Sequence, residues 1–565
     1  MNIKKKIAGT AVLALLLTGC NTDYSEYSNY DQDYMSETYE NVIGLVNEIY
    51  TMLDYDFGQN YSGGMLASAC DEAEYAYSDN DICDFTNGSW SAANAHYDAI
   101  WTASYEAIQI CNFYLENYSG LTFEDLELND DYAAQMYRYT NSLVEAKLLR
   151  AYFYFNLARA YGDVPYFTVT QTTETVNELT RTPVLQVFDS IMDVCDEVYD
   201  ELPADYTSLG SLAITPAETG RFTKYVALAL KARTALYAAS PLFNTSNDSS
   251  RWKEAVEANE EALEAFIDYG YTLGDYDDIW GTSNWQSSEV IFARRLISNI
   301  SYPESYNYPI GTTGGLSGNC PSQNLVDAYE MQATGLAYDE EGSGYDEDNP
   351  YDGRDPRFEL TIAHNGSVWP DAYSTTLQIY YGGTHGEPVS GATPTGYYLK
   401  KYLDGNIDFT SSSSYSSSRH SWVAFRLAEF YLNYAEAIYK YTGSGYSNGG
   451  YNMTAAEAIN VVRARSSMPD FPTNLSSSAF WEKYKRERMV ELAFEGHRFY
   501  DVRRWEEGDE YLSSIDEMDI TLNSDGSYTY TRSTVSRTWA DKMYLYPIPQ
   551  SEIAKNPNLT QNSGW

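Results

Sequence analysis

The sequence predicts a mainly α protein: a scaffold of paired helices, interrupted by one large loop-rich insertion carrying short β-strands. Three observations predict it. Apolar residues recur at alternating steps of three and four through the first half of the chain and again near its end. Between about residues 270 and 420 that periodicity vanishes, and Gly, Ser, Tyr, Asn and Pro dominate. No long low-complexity linker separates the helical blocks, so the 565 residues read as one body rather than several domains of roughly 150 residues each.

The chain opens with Lys4, Lys5 and Lys6, followed by an apolar run from Ile7 to Leu17. That run is too short to span a bilayer and suits the core of an export signal. It ends in Leu17-Thr18-Gly19-Cys20, the shape of a bacterial lipobox. Cleavage before Cys20 leaves a cysteine that carries acyl chains, and burying their methylenes anchors a soluble body to a membrane. Residues 1–19 are read as a signal peptide and 20–36 as a lipidated, flexible tether, because 21–34 is polar and acidic.

Helical stripes follow. Tyr97, Trp101, Ser104, Ile108, Cys111 and Leu115 mark one buried face, which makes Trp101 a core residue. Tyr137, Asn141, Val144, Leu148, Ala151, Phe155 and Ala158 mark another, with small alanines that let a neighbouring helix approach closely. Thr182-Pro183 supplies an N-cap and first-turn pair for a third helix carrying Val184, Phe188, Ile191, Cys195 and Val198. Further helices are expected at 219–239, 252–268, 421–441, 454–466 and 477–506. Paired in this way they resemble a tetratricopeptide-like solenoid, without a strict 34-residue signature. The body over 37–565 thus divides into a helical scaffold (about 37–269 and 421–506), an insertion (about 270–420) and a C-terminal extension (507–565). Within the insertion, Glu289–Arg294 and Tyr397–Tyr402 alternate in the manner of short strands. Loops of this length on a rigid scaffold usually carry function.

Charge narrows the partners. Residues 1–19 hold three lysines and no acids, so the remainder carries 33 basic against 81 acidic residues, a net charge of −48. Such a surface repels phosphate backbones and anionic headgroups, which excludes nucleic acid as a partner. Five cysteines remain after Cys20: Cys70, Cys83, Cys111, Cys195 and Cys320. An odd count at irregular spacing is no disulfide framework. Cys111 and Cys195 lie on apolar stripes, and a Cys70–Cys83 bridge is left open.

Motifs for catalysis are missing: no GxSxG, HExxH, Walker loop or dinucleotide fingerprint occurs, and the five histidines show no metal-ligand spacing. No catalytic residue, metal or cofactor is assigned. Glu491, Glu495 and His497 look ligand-like, but they sit among Arg486, Arg488, Arg498, Arg503 and Arg504 and read as an ion-paired, packed helix. The acidic loop Tyr345–Asp352 has oxygens for Ca²⁺ but lacks EF-hand spacing, so it reads as a solvated loop with a Ca²⁺ site as the alternative. The positive signal is aromatic: 55 tyrosines and 11 tryptophans. Sugar rings stack their C–H faces on flat aromatics while their hydroxyls need polar partners, and Tyr and Trp offer both. Trp90 lies in the loop before the first stripe, and Trp280, Trp285, Tyr302, Tyr306, Tyr308 and Trp369 lie in the insertion.

Four segments stand out: Glu145–Phe167, with its Tyr-Gly-Asp-Val-Pro exit; Gly220–Asn244; Arg486–Trp505; and the tail from Tyr546 to Trp565. Arg354-Asp355-Pro356-Arg357 and Arg426–Ala437 are smaller ones. In these segments the chain resembles the RagB/SusD family, the surface glycan-binding lipoproteins of Bacteroidota. The resemblance implies the SusD-like fold and no catalysis. It implies outer-membrane, cell-surface capture of oligosaccharide and delivery to a SusC-like TonB-dependent transporter as partner. Capture of oligopeptide is the alternative. It also implies glycan contacts near the first loop, at Trp90, Asn94, Asp71 and Glu72, and in the insertion at Trp285, Tyr302, Tyr306 and Trp369.

Overall fold

The computed structural model describes residues 32–58, 60–93, 98–213, 219–281, 283–295, 302–412 and 420–565. Cys20, the signal segment and most of the tether lie outside the described residues. The tether's end departs from expectation, since Gln32–Glu37 is already helical.

The scaffold starts with α1 (Tyr39–Thr51), α2 (Asp98–Asn117), α3 (Tyr132–Tyr161) and α4 (Val184–Tyr199). It continues through α5 (Lys224–Ala239), α6 (Ser249–Tyr269), α7 (Leu427–Thr442), α8 (Ala455–Arg465), α9 (Ser477–Glu491) and α10 (His497–Arg504). From α1 to α8 each helix packs on the next in sequence, the pairing of a helical-repeat solenoid. Local chemistry sets the ends. Asp248 caps α6, and Gly270 closes it with a φ of 113°. A reciprocal Thr454–Glu457 capping box starts α8. Close packing follows from small residues: Ala151 and Ala158 on α3, and Ala229, Ala232 and Ala235 on α5, are all buried. Trp101 is buried as its stripe required.

Two expected helices are corrected. The 421–441 segment begins as strand β6 (Ser421–Arg426), whose Trp, Val and Phe favour a half-buried strand. Its partner is β2 (Val290–Arg295), antiparallel from Val290↔Arg426 to Arg295↔Ser421. The insertion therefore leaves and rejoins the scaffold through one ribbon. The 477–506 segment is broken between α9 and α10, where Phe494 and Gly496 take φ of 61° and 75°. β1 (Ala73–Tyr75), in the first loop, pairs with β3 (Asn319–Pro321) in the insertion. β4 (Ile362–Ala363) pairs with β5 (Tyr398–Leu399). The C-terminal extension holds an unforeseen hairpin, β7 (Ser514–Leu522) with β8 (Tyr528–Ser536), in register from Ser514↔Ser536 to Leu522↔Tyr528. One apolar core fills the scaffold and a second fills the insertion.

Buried ions lock the insertion's neck to α9. Arg426 donates to Glu289 at 2.8 Å, Glu491 at 2.7 Å and Glu495 at 2.7 Å. Arg357 bridges Asp355 at 2.6 Å, Glu487 at 2.7 Å and Glu491 at 2.9 Å. Arg465 reaches Glu289 and Glu491 from α8. Burial opposes ionisation of Glu491, but the three surrounding guanidiniums overcome it and hold the carboxyl well below its usual range. Truncating one partner strands the others in a low dielectric. Arg426→Met is expected to cost about 3–5 kcal/mol of stability, read from urea denaturation. A loss below about 1 kcal/mol would show that the carboxylates find other cations.

Candidate functional site

The first loop and the insertion converge at a seam of tyrosines, and β1–β3 pairing places them there. Asn319, fully buried on β3, is the clamp. Its side-chain carbonyl accepts from Met65 N–H at 2.8 Å and the Ser68 hydroxyl at 2.8 Å. Its amide donates to the Gly63 carbonyl at 2.9 Å and to Asn307 at 2.8 Å. Ser322 adds a hydroxyl bond to the Asp71 carbonyl at 2.5 Å. Gly63 is thereby pressed against two rings: a Cβ there would lie 2.6 Å from the Tyr75 hydroxyl and 2.7 Å from Tyr306 Cδ1. Its φ of 104° excludes other residues independently. Tyr77 follows, its ring centroid 6.3 Å from that of Tyr75. Tyr77 and Tyr306 are half-buried, so part of each side chain is open to solvent.

Of the eight expected glycan contacts, Tyr306 is the one in this seam, and the others divide. Trp285 is half-buried elsewhere, with the Arg295 guanidinium 3.8 Å above its ring. Asn94 and the side chain of Tyr302 fall outside the described residues. Trp90 is corrected to a core position: it is 3% exposed and packs on Phe85 at 4.5 Å, Trp565 at 4.9 Å and Tyr546 at 5.1 Å. Although it precedes a helix as a loop residue, the C-terminal tail folds over it. Trp369 is buried likewise, edge-on to the fully buried Tyr308 at 6.0 Å, and Trp280 packs on Tyr276 at 4.2 Å. Asp71 and Glu72 are also interior. Asp71 takes a bidentate pair from Arg498, at 2.8 and 2.6 Å. Glu72 accepts from Phe494 N–H at 3.4 Å, and burial, with Asp71 adjacent, pushes its pKa up to about 8.

Tyr75 and Tyr77 were missed, although their i, i+2 spacing at the end of an acidic loop is a strand signal. Cys70 and Cys83 are free thiols, so the bridge left open does not form. In the acidic loop, Asp346 is spent on its own turn, accepting from Asp348 N–H and from Asn349. Among the described residues no group of three or more His, Cys, Asp or Glu is arranged to hold a metal. Nor is any described helix long and apolar enough to cross a membrane. An open cleft of about 800 Å³ lies on the scaffold side between α6, α7 and α8, lined by Tyr271, Asp278, Leu427, Tyr431 and Val461, and none of the expected contacts borders it.

Two stability outcomes follow from these placements. Trp90→Ala removes a buried indole and is expected to cost about 3–5 kcal/mol, read from chemical denaturation; an unchanged midpoint would return Trp90 to the surface. Glu72 keeps its proton when folded to about pH 8, but loses it near ~4.3 when unfolded. Through that window the unfolded state binds fewer protons, so stability falls as pH rises. Glu72→Gln, neutral throughout, should lose less thermal stability than wild type between about pH 5 and pH 8. Parallel curves would mean that Glu72 ionises normally.

Known proteins bear on the same chain. A model described as "SusD family" matches residues 250–565, and one described as "Starch-binding associating with outer membrane" matches residues 23–236. "SusD-like protein P2" of Formosa agariphila is 23% identical over 503 residues, covering 86% of this chain and 83% of its own. A SusD-like protein of Bacteroides ovatus is 21% identical, covering 99% and 98%. Among solved structures, a SusD-like protein of Bacteroides fragilis superposes with a TM-score of 0.76 at 28% identity, covering 94% of this chain and 98% of its own. A "Laminarin binding SusD-like protein" superposes at 0.63 and 21% identity, covering 93% and 99%. The first model alone spans more than half of the sequence, and with the shared helical-repeat architecture it shows that the chain belongs to the SusD family.

Proposed function

We propose that this protein is a non-enzymatic, lipid-anchored binding protein of the outer membrane. It captures oligosaccharide at the cell surface and passes it to a TonB-dependent transporter. The observation that carries the reading is the seam at Gly63, where Tyr77 and Tyr306 stay partly exposed beside the buried Tyr75. It offers aromatic faces to sugar C–H groups and hydroxyls at their edges. Three further facts support it: the starch-binding, outer-membrane description of the N-terminal family match, the laminarin binding stated for one structural relative, and the Leu17–Cys20 lipobox. The strongly acidic chain favours ligands without phosphate or sulfate.

The test is calorimetric titration against a panel of neutral oligosaccharides and a pool of oligopeptides. Tyr306→Ala should weaken oligosaccharide binding about tenfold, the scale of one lost aromatic stacking contact, with circular dichroism confirming the fold. Binding of peptides alone would replace the carbohydrate reading with peptide capture.

A further inference from the structure

A second group of tyrosines gathers where the C-terminal hairpin meets a loop of the insertion, Tyr528 and Tyr530 on the hairpin and Tyr380 and Tyr381 on the loop. Tyr381 is 69% exposed and Tyr528, near the tip of β8, is 37% exposed. Tyr380 packs against Tyr528 with ring centroids 5.7 Å apart, and Tyr530 continues the row at 6.3 Å from Tyr528. Aromatics clustered at the surface, unlike single exposed ones, mark interaction sites. The hydroxyls of Tyr381 and Tyr528 bond to no other described residue, so these rings keep the same two-sided chemistry as the seam.

One loop joins the two groups. It is fastened to β7 at both ends, by Tyr381 N–H to the Ile520 carbonyl at 2.9 Å and by Met518 N–H to the Thr395 carbonyl at 3.0 Å. Midway, Gly391 presses closely on the Tyr77 hydroxyl, so that a Cβ there would force the Tyr77 ring to shift. Its φ of 80° is likewise a glycine conformation. The hairpin, the loop and the seam are therefore held in one register. Carboxylates lie along this connection. Glu517 on β7 feels Glu74 beside Tyr75, Asp519, and Glu387 of the loop, and burial together with these acids raises its pKa to about 7. Arg537 is the cation among them, 3.5 Å from Glu74 and otherwise bound to the carbonyls of Cys70 and Ala73. A ligand crossing this stretch meets more negative than positive charge.

Resting on the carbohydrate reading above, we infer that Tyr381 and Tyr528 form a second contact platform for the same ligand, and that this ligand is an uncharged oligosaccharide long enough to reach from the Tyr77–Tyr306 seam to the hairpin. Aromatic faces at both ends suit successive sugar rings. The acids between them discriminate against uronate or sulfate groups, as like charges at a binding surface do.

Titration with neutral laminari-, malto- and manno-oligosaccharides of two and of six units tests this. For the six-unit chain that wild type binds, Tyr381→Ala/Tyr528→Ala should weaken affinity about tenfold and leave the two-unit affinity unchanged. Tyr306→Ala should weaken both. Tyr381→Ala alone, at a ring that packs little, should still reduce six-unit affinity about threefold should the double variant fold poorly. Unaltered six-unit affinity in a folded variant overturns the inference. So does equal binding of the sulfated six-unit chain. Failure of wild type to bind any of these chains overturns the carbohydrate reading and this inference with it, whereas wild-type binding that survives both tyrosine substitutions overturns this inference alone.

Discussion

The guanidinium of Arg426 lies where the two strands of the insertion's neck meet α9, with Glu289, Glu491 and Glu495 around it. Isolating any of these charges from water would be prohibitive, so the site is stable only when every partner is present and correctly oriented. That condition ties together parts far apart in sequence. Glu289 immediately precedes β2, Arg426 closes β6, Arg357 comes from the insertion, Arg465 from α8 and Glu491 from α9. Arginine suits this role better than lysine because its planar fork addresses several carboxylates at fixed angles. Lys401, a point charge, meets one, Glu495, at 2.7 Å. The lattice thereby fixes how the loop-rich insertion is seated on the scaffold.

The tyrosine seam depends on that seating. Residues 60–90 belong to the scaffold side of the chain and Tyr306 to the insertion, so no local geometry brings them together. β1–β3 pairing and the Asn319 side chain do so. A buried amide with all its bonds made is a directional joint, since a shift of either partner leaves polar groups unsatisfied. Gly63 then completes the fit by presenting bare backbone to two rings.

Aromatic abundance has a more ordinary cause than ligand binding in most of the chain. Tyr154, Tyr139 and Tyr308 are buried and direct their hydroxyls to the carbonyls of Phe167, Tyr118 and Asp404. Tyrosine here fills volume while satisfying loop carbonyls that the helices leave without donors. Where the loops part, at Tyr77, Tyr306, Tyr381 and Tyr528, rings remain wholly or partly open to solvent.

The helical scaffold was legible because its signal is local. Stripes such as Val184–Val198 repeat at the helix period, and capping residues such as Thr454 and Glu457 stand beside the turns they close. The lipobox and the family segments are likewise written in contiguous residues. Burial of aromatics off the helical stripes was not legible, although Trp101, on one, was placed in the core correctly. Trp90 lies off every stripe, yet Trp565 and Tyr546, more than 450 residues later, enclose it. The helix expected over 421–441 failed for a related reason: Ser421–Arg426 becomes a strand only because Val290–Arg295 lies alongside to pair with it. Sequence by itself therefore determined the elements whose stabilising contacts fall within a few turns, together with the charge that bounds the function. Tertiary structure alone decided which cation each buried carboxylate meets, and which of the rings off the stripes are core and which face the solvent. Those outcomes depend on contacts across hundreds of residues, to which no local spacing responds.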